Sequence, residues 1–415
     1  MMFNLARRTR NVSGSLSVDI ASRSYFNKGK ILCSIGTLRK RSSGKVMAVV
    51  LVLILSVLSI EAASAGGSCT PPHRFPNPSL LNALQRGVNL PDWDHSDRSQ
   101  RPGAMALKAL RAQGLTHIRL LLNNNRLSDA SSSVYLNEIY DELISLISMG
   151  YVVSLDLHAD DAVSKKFAEG YEIGFLYLQS IWKKVALMAQ VLDSEKVALE
   201  LLNEPNIGQE DWMRAADGLI DTIRQIAPQH TIIVGPSGPQ RHETLSGMQP
   251  FEDPNIVYAI HYYDPFLFTH QGATWGRETD PLRVMRGLPF PASLRDARIV
   301  KILAELDTKE QFEAATAIRK SLDRDWNEDT LREAFDIMAG WAKTYSRPVI
   351  INEFGVLDFV VDRQSRLNWL ENVNRLARKR CLGWTHWDFQ QGFGLIDRKT
   401  RLPDAGIMRA LRDAD

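Results

Sequence analysis

Two glutamates stand at places where apolar runs end: Glu204 in residues 198–206, ALELLNEPN, and Glu353 in residues 347–355, RPVIINEFG. A buried charge is costly unless something compensates it, and Pro205 forbids a strand's hydrogen-bond ladder from continuing past Glu204. A lone Asn-Glu-Pro is explained as well by a solvated turn, so the surroundings must decide. Other apolar runs deliver a polar or aromatic group in the same way: Arg119 in HIRLLL, His158 in DLHAD, Asn203 beside Glu204, His261 and Tyr263 in HYY, and Trp387 in GWTHWDF. Taken singly, the arginine reads as a buried ion-pair partner, the histidines as satisfied core residues and the aromatics as core. Taken together they form one constellation around two carboxyl groups. Glycoside hydrolysis asks for that pair, a proton donor for the leaving oxygen and a carboxylate facing the anomeric carbon.

The elements that must position them are short and regularly spaced. Eight strand-like runs, rich in Val, Ile and aromatics, occupy 86–90, 116–122, 151–158, 196–204, 231–236, 255–263, 347–355 and 382–389. Helical patterns lie between them, such as SSVYLNEIYDELISLISMG with its closing Gly150, EDWMRAADGLIDTIRQIAP and SRLNWLENVNRLARKR. Strands alternating with helices imply parallel βαβ units, and eight of them imply an α/β fold, the (β/α)8 TIM barrel. A doubly wound open sheet is the fallback, but RGVNLPDWD carries no Gly-rich phosphate loop after the first run. In such a barrel the C-terminal ends of the strands form the active rim, where strands four and seven bring Glu204 and Glu353 face to face. A nucleophilic carboxylate is helped by a nearby guanidinium, which predicts Arg119 closer to whichever of the two glutamates is the nucleophile. Glu200, four residues before Glu204 on the same strand face, reads as a structural ion-pair partner inside the barrel. The cadence breaks once, between the sixth and seventh runs. There residues 264–325 form an insertion, with 328–345 as the expected helix. Wall of the cleft, with Trp275 stacking on a sugar, and helical excursion outside the barrel are both open for it.

Over residues 84–400 the chain resembles glycoside hydrolase family 5, the cellulase family of the retaining (β/α)8 clan. The motifs RGVNL, HIRLLL, DLHAD, LNEPN, HYY, INEFG and GWTHWDF, with GFGLID after it, come in the same order. The resemblance implies Glu204 as acid/base and Glu353 as nucleophile. It also implies Asn203 on the sugar 2-hydroxyl, Arg119 and Tyr263 holding Glu353 ionised and aimed, His158 and His261 lining the reacting subsite, and Trp387 as the platform under its sugar. The expected activity is hydrolysis of a β-linked polysaccharide, foremost endo-β-1,4-glucanase. β-Mannanase, β-1,3-glucanase, exopolysaccharide hydrolase and a carbohydrate-binding barrel without activity are the alternatives. DLHAD lacks the second polar residue that many cellulases place after this histidine, and the long insertion also departs from the minimal family pattern. Both bear on substrate choice.

The chain carries 50 basic and 48 acidic residues; the first 65 positions hold ten and two of these, leaving 40 and 46, a net of about −6. The body thus shows no nucleic-acid signature. The flank TLRKRSSGK, the apolar run at 46–60 and the small-residue site ASA before Gly66 match a signal peptide, so 1–65 is expected as a leader and 66–415 as one catalytic domain. Secretion or periplasmic export follows, with a membrane anchor or transit peptide as alternatives. Cleavage there would leave Cys69 and Cys381, which export permits to pair. No metal, nucleotide or other cofactor is implied, Asp160 and Asp161 being too few for a metal cage, and no obligate protein partner is evident.

Overall fold

Each of the eight runs forms a strand. The computed structural model describes residues 75–412. The strands are β1 Arg86–Leu90, β2 His117–Leu122, β3 Val152–Leu157, β4 Val197–Glu200, β5 Thr231–Val234, β6 Ile256–Tyr262, β7 Val349–Phe354 and β8 Gly383–His386. All pair in parallel, in chain order, and β1 closes on β8 through Arg86↔Trp384 and its neighbours. The expected (β/α)8 barrel is therefore the observed fold. Strands of this kind are covered on both faces, which is why they read as near-continuous apolar runs. Their outward residues, such as Ile118, Leu155, Leu199, Ile260 and Ile351, pack with the surrounding helices into one large apolar cluster.

The inside of the barrel changes character from floor to rim. At the N-terminal end the helix Pro78–Ala83 lies across the opening. Leu80, Leu81 and Leu84 join Val152, Ala198, Ile233, Val257, Ala259 and Ile350 in a small apolar cluster. The next layer is polar but satisfied: buried His117 meets Thr385 Oγ1 at 3.1 Å and Ser154 Oγ at 2.8 Å. Desolvation there pushes the His117 pKa down to about 3, so the ring is neutral. Above it sit Arg119 and its carboxylate partners.

Several placements differ from the sequence reading. The β4 ladder stops at Glu200 rather than at Glu204. Extended backbone nevertheless continues beyond it, held by Leu201 N–H to Ile233 O at 3.0 Å and Asn203 N–H to Leu157 O at 3.0 Å. Arg119 lies within β2 and is fully buried, so it is a barrel-interior residue and not a rim residue. β8 stops at His386 rather than at residue 389, and Cys381 lies in the turn before it with φ +57°. Cys381 is disulfide-bonded; its expected partner, Cys69, lies outside the described residues, as do the leader and its apolar run. Among the described residues no helix is long and apolar enough to cross a membrane.

The insertion is stitched shut by an antiparallel bridge between Ala292 and Trp326, whose backbones exchange bonds of 2.9 and 2.8 Å. It holds the helices Phe266–Thr269, Ala297–Thr308 and Phe312–Ser321; the helix Glu328–Tyr345 then leads into β7 as expected.

Gly87 shows how tightly the polar layer is packed. A Cβ there would meet His117 Nδ1 at 2.6 Å and the His117 carbonyl oxygen at 2.9 Å. Because one of these atoms is backbone, Gly87→Ala should destabilise the fold by about 1–3 kcal/mol, measured by urea unfolding; unchanged stability would show that the layer yields.

Candidate active site

Alternation along each strand selects what faces the barrel axis. On β2 it turns His117 and Arg119 inward, and on β3 Ser154 and Asp156, with His158 next on the same face. On β4 it turns Ala198 and Glu200 inward. On β7 simple alternation fails. Ile350 packs inside and Ile351 outside, so an unbroken strand would turn Glu353 away from the axis. The β6–β7 register jumps from Ile260↔Ile351 to His261↔Glu353, which leaves Asn352 as an extra residue. Such a bulge re-aims the side chains that follow it. Glu353 thereby points inward and Phe354 packs outward against Trp369 and Trp384. The cost is visible at Asn352, whose buried side-chain amide has no partner, although its backbone oxygen accepts from Asn89 Nδ2 at 3.0 Å.

Arg119 organises what converges. Its Nη1 donates to Glu353 Oε1 at 2.7 Å and Asn89 Oδ1 at 2.9 Å. Its Nη2 reaches Glu200 Oε1 at 2.8 Å, Asn203 Oδ1 at 2.9 Å and Asp156 Oδ2 at 3.0 Å, and Nε donates to Glu200 Oε2 at 2.9 Å. All five N–H groups of the guanidinium are used. As expected, Arg119 binds Glu353 directly, and it makes no ion pair with Glu204. Tyr263 donates its hydroxyl to the other Glu353 oxygen at 3.0 Å. His261 Nδ1 stands between the two glutamates, 2.9 Å from Glu204 Oε1 and 3.5 Å from Glu353 Oε2. The three residues offer ligand atoms within 4.8 Å of one another. A divalent ion in that space would face the Arg119 cation already bound to Glu353, so the arrangement suits a shared proton better than a metal.

The two carboxyl groups are treated differently. Glu353 is nearly enclosed, with 7% of its side chain exposed, and each oxygen accepts a bond from a group that stays protonated. Burial and the adjacent carboxylates hold the Tyr263 phenol well above its ordinary value. Glu204 opens toward the cleft with 40% of its side chain exposed, while protein packed on its other sides desolvates it and raises its pKa above 4.5. His158 and His261 are pushed down to about 4 by desolvation and are neutral. The Glu204 backbone is itself unusual, with φ +40°. A non-glycine residue in that region costs on the order of 1–3 kcal/mol, a kind of strain that clusters at functional sites.

The carboxyl groups lie in a cleft of about 840 Å³. Trp387 and His158 stack at its floor with ring centroids 5.6 Å apart and 18° between planes. His158 Nδ1 is anchored to Asp156 Oδ2 at 2.9 Å. All six supporting residues read from the sequence are thus brought together with the two glutamates. The insertion divides between its two expected roles: Phe266, His270, Thr274 and Trp275 line the cleft, whereas the helices Ala297–Thr308 and Phe312–Ser321 do not. His270 nests among Tyr263, Phe266, Trp275 and Phe393, its ring stacked on Phe266 at 4.0 Å. Sequence reasoning missed Asp156, His270 and Phe393. Asp156 was within reach, being two residues from His158 on the same strand face. His270 and Phe393 lie in loops with no period to betray them.

Comparison with known proteins places this geometry. The family model described as cellulase (glycosyl hydrolase family 5) matches residues 81–392. Endoglucanase 3 of Fibrobacter succinogenes is 28% identical over 343 residues, covering 76% of this chain and 51% of that protein. Endoglucanase H of Acetivibrio thermocellus is 24% identical, covering 64% of this chain and 25% of that protein. The chain therefore spans about half or less of these relatives' lengths. Among solved structures, endoglucanase Cel5A of Thermotoga maritima has the same fold at a TM-score of 0.66 and 22% identity, covering 83% of this chain and 100% of that one.

The raised Glu204 pKa has a consequence for stability. The folded state binds this proton more tightly than the unfolded state, so stability is lost as pH rises through the folded-state value. Glu204→Gln removes that loss. The variant should melt at a higher temperature than wild type at neutral pH, and the gap should close below the ordinary carboxylate value; a gap independent of pH would contradict the shift.

Proposed function

We propose, on the premise that the chain belongs to the cellulase family, glycosyl hydrolase family 5, that it is a retaining glycosidase cleaving a β-linked polysaccharide, with endo-β-1,4-glucanase as its activity. The observation that carries this reading is the pair of carboxyl groups, Glu204 and Glu353, with oxygens within 4.8 Å. That approach suits carboxyl groups about 5–5.5 Å apart, the spacing for a covalent intermediate, and falls short of the about 6.5–9.5 Å at which inverting enzymes hold theirs.

In the first step a Glu353 oxygen attacks the anomeric carbon. The glycosidic C–O bond breaks, and the Glu204 proton passes to the leaving oxygen. The proton is available because Glu204 is desolvated. Arg119 and Tyr263 fix both Glu353 oxygens while leaving each a further lone pair for attack. In the second step Glu204, now a carboxylate, takes a proton from water, the water oxygen bonds the anomeric carbon, and the ester bond to Glu353 breaks. Asn203 presents its amide oxygen to Arg119, which turns its NH2 group toward the cleft for the sugar 2-hydroxyl. Trp387 supplies an apolar face under that sugar, with His158 beside it. Trp275, with 62% of its surface exposed at the cleft edge, is available to stack on a more distant sugar. Export by the basic, apolar and small-residue leader at 1–65 belongs to the same proposal, since a polymeric β-glucan is met outside the cytoplasm.

Substitution separates the two carboxyl roles. Glu353→Ala should abolish turnover on every substrate. Glu204→Ala should lose about 10²–10⁴-fold on unactivated glucan yet still release an activated phenol in a burst, and azide should restore turnover as a β-glycosyl azide. An α-configured azide, or equal losses on both substrate types, would refute the assignment.

A further inference from the structure

Below the two glutamates lie two acids that this mechanism does not use, Asp156 and Glu200. Three carboxylates, Asp156, Glu200 and Glu353, touch one guanidinium, at 3.0, 2.8 and 2.7 Å. The first two are fully buried. They stand directly opposite each other on neighbouring strands, Asp156↔Glu200, and both face the barrel axis. Like charges in such cross-strand positions repel, and both acids contact the same Arg119 nitrogen, Nη2. One positive charge cannot offset three buried negative ones, and two carboxyl groups sharing a site do not both ionise readily. Asp156 Oδ1 is also left without a partner, a buried acceptor that no donor serves.

We propose that Asp156 and Glu200 share a single proton beneath Arg119 and act as positioning residues, holding His158 and setting the charge that Glu353 and Glu204 experience. With that proton in place, Arg119 faces two negative charges in the free enzyme, one on Glu353 and one on the acid pair. When Glu353 is esterified its charge is lost, and the pair's remaining charge balances Arg119. Burial raises the pKa of both acids, that of Asp156 to about 6. His158, whose Nδ1 bonds Asp156 Oδ2 and whose side chain is 32% exposed, links the pair to the cleft. The groups facing the pair are Arg119 from β2 and His158 just beyond β3. Glu204 faces it from beyond β4, His261 from β6 and Glu353 from β7, with neutral His117 one layer below. When the pair gives up its proton, the added negative charge favours the protonated form of Glu204, so the alkaline limb of activity depends on both.

The test uses infrared difference spectra of the full chain at about pH 5, where a pair titrating as one unit still holds its proton. Asp156→Asn should remove one protonated-carboxyl band, and Glu200→Gln should remove the same band, because either acid left alone against Arg119 ionises. The double variant should remove no more than one. Persistence of the band in either single variant, or loss of two bands in the double, overturns the proposal. This arm does not depend on the glycosidase reading, which supplies only the kinetic arm. There, Asp156→Asn, whose amide oxygen still accepts from His158, should lower kcat only in part on an unactivated β-glucan oligosaccharide, whose leaving oxygen needs the Glu204 proton. Its alkaline limb should move to lower pH because Glu200 alone carries one negative charge where the intact pair, once its proton is lost, carries two. Asp156→Ala, which cannot hold His158, should lower kcat further. An alkaline limb unmoved in Asp156→Asn would exclude coupling to Glu204.

Discussion

One guanidinium sets the terms for the site. Arg119 lies inside the barrel with no solvent exposure and spends every N–H on side chains from β1, β4 and β7 and from the segment after β4. A buried cation of this kind is tolerable only if its partners are fixed and complete. Its partners are likewise tolerable only because it is there. Glu353 is oriented by this contact, Asn203 has its amide turned by it, and the Asp156–Glu200 pair is gathered around it. The neutral layer of His117, Ser154 and Thr385 beneath separates this charge from the apolar floor. The ascent from apolar to neutral polar to charged brings the ionic groups to the end of the barrel where substrate arrives.

Much of this was legible in the sequence because parallel barrel strands are buried on both faces and announce themselves as apolar runs. The polar residues that interrupt those runs could then be read as a rim, and the residues so read converge. What the sequence could not show are departures from regular geometry. The bulge at Asn352 inverts the facing of Glu353, and period-2 alternation read through VIINEF would have sent that carboxyl outward. The β4 ladder ends at Glu200, and Glu204 reaches the cleft on extended backbone in an uncommon φ region. Asp156 lay within the alternation rule, but a buried acid two residues from a histidine looks like its structural support, which it also is. The aromatic nest around His270 comes from loops joined only in three dimensions.

The insertion after β6 shows how loops outside the barrel shape the cleft around the two carboxyl groups. Its first residues, including Phe266, His270 and Trp275, form one wall of the cleft, and its later helices pack away from it. The wall meets Phe393 from the loop after β8, so two loops from neighbouring parts of the rim make one aromatic surface. Loop-built surfaces of this kind are where barrel enzymes choose among polysaccharides while the carboxyl pair stays fixed.

In the proposed reaction Glu353 forms a bond to the sugar while Glu204 handles protons. A 2-deoxy-2-fluoro-β-glucoside or cellobioside with a good leaving group slows the second step and traps the covalent species, and peptide mass spectrometry of the inactivated protein reads its position. The label is predicted on the peptide containing Glu353, with one glycosyl group of the reagent per chain and none on Glu204. Label on Glu204, or turnover of the reagent to an inverted product with no covalent species, would contradict it.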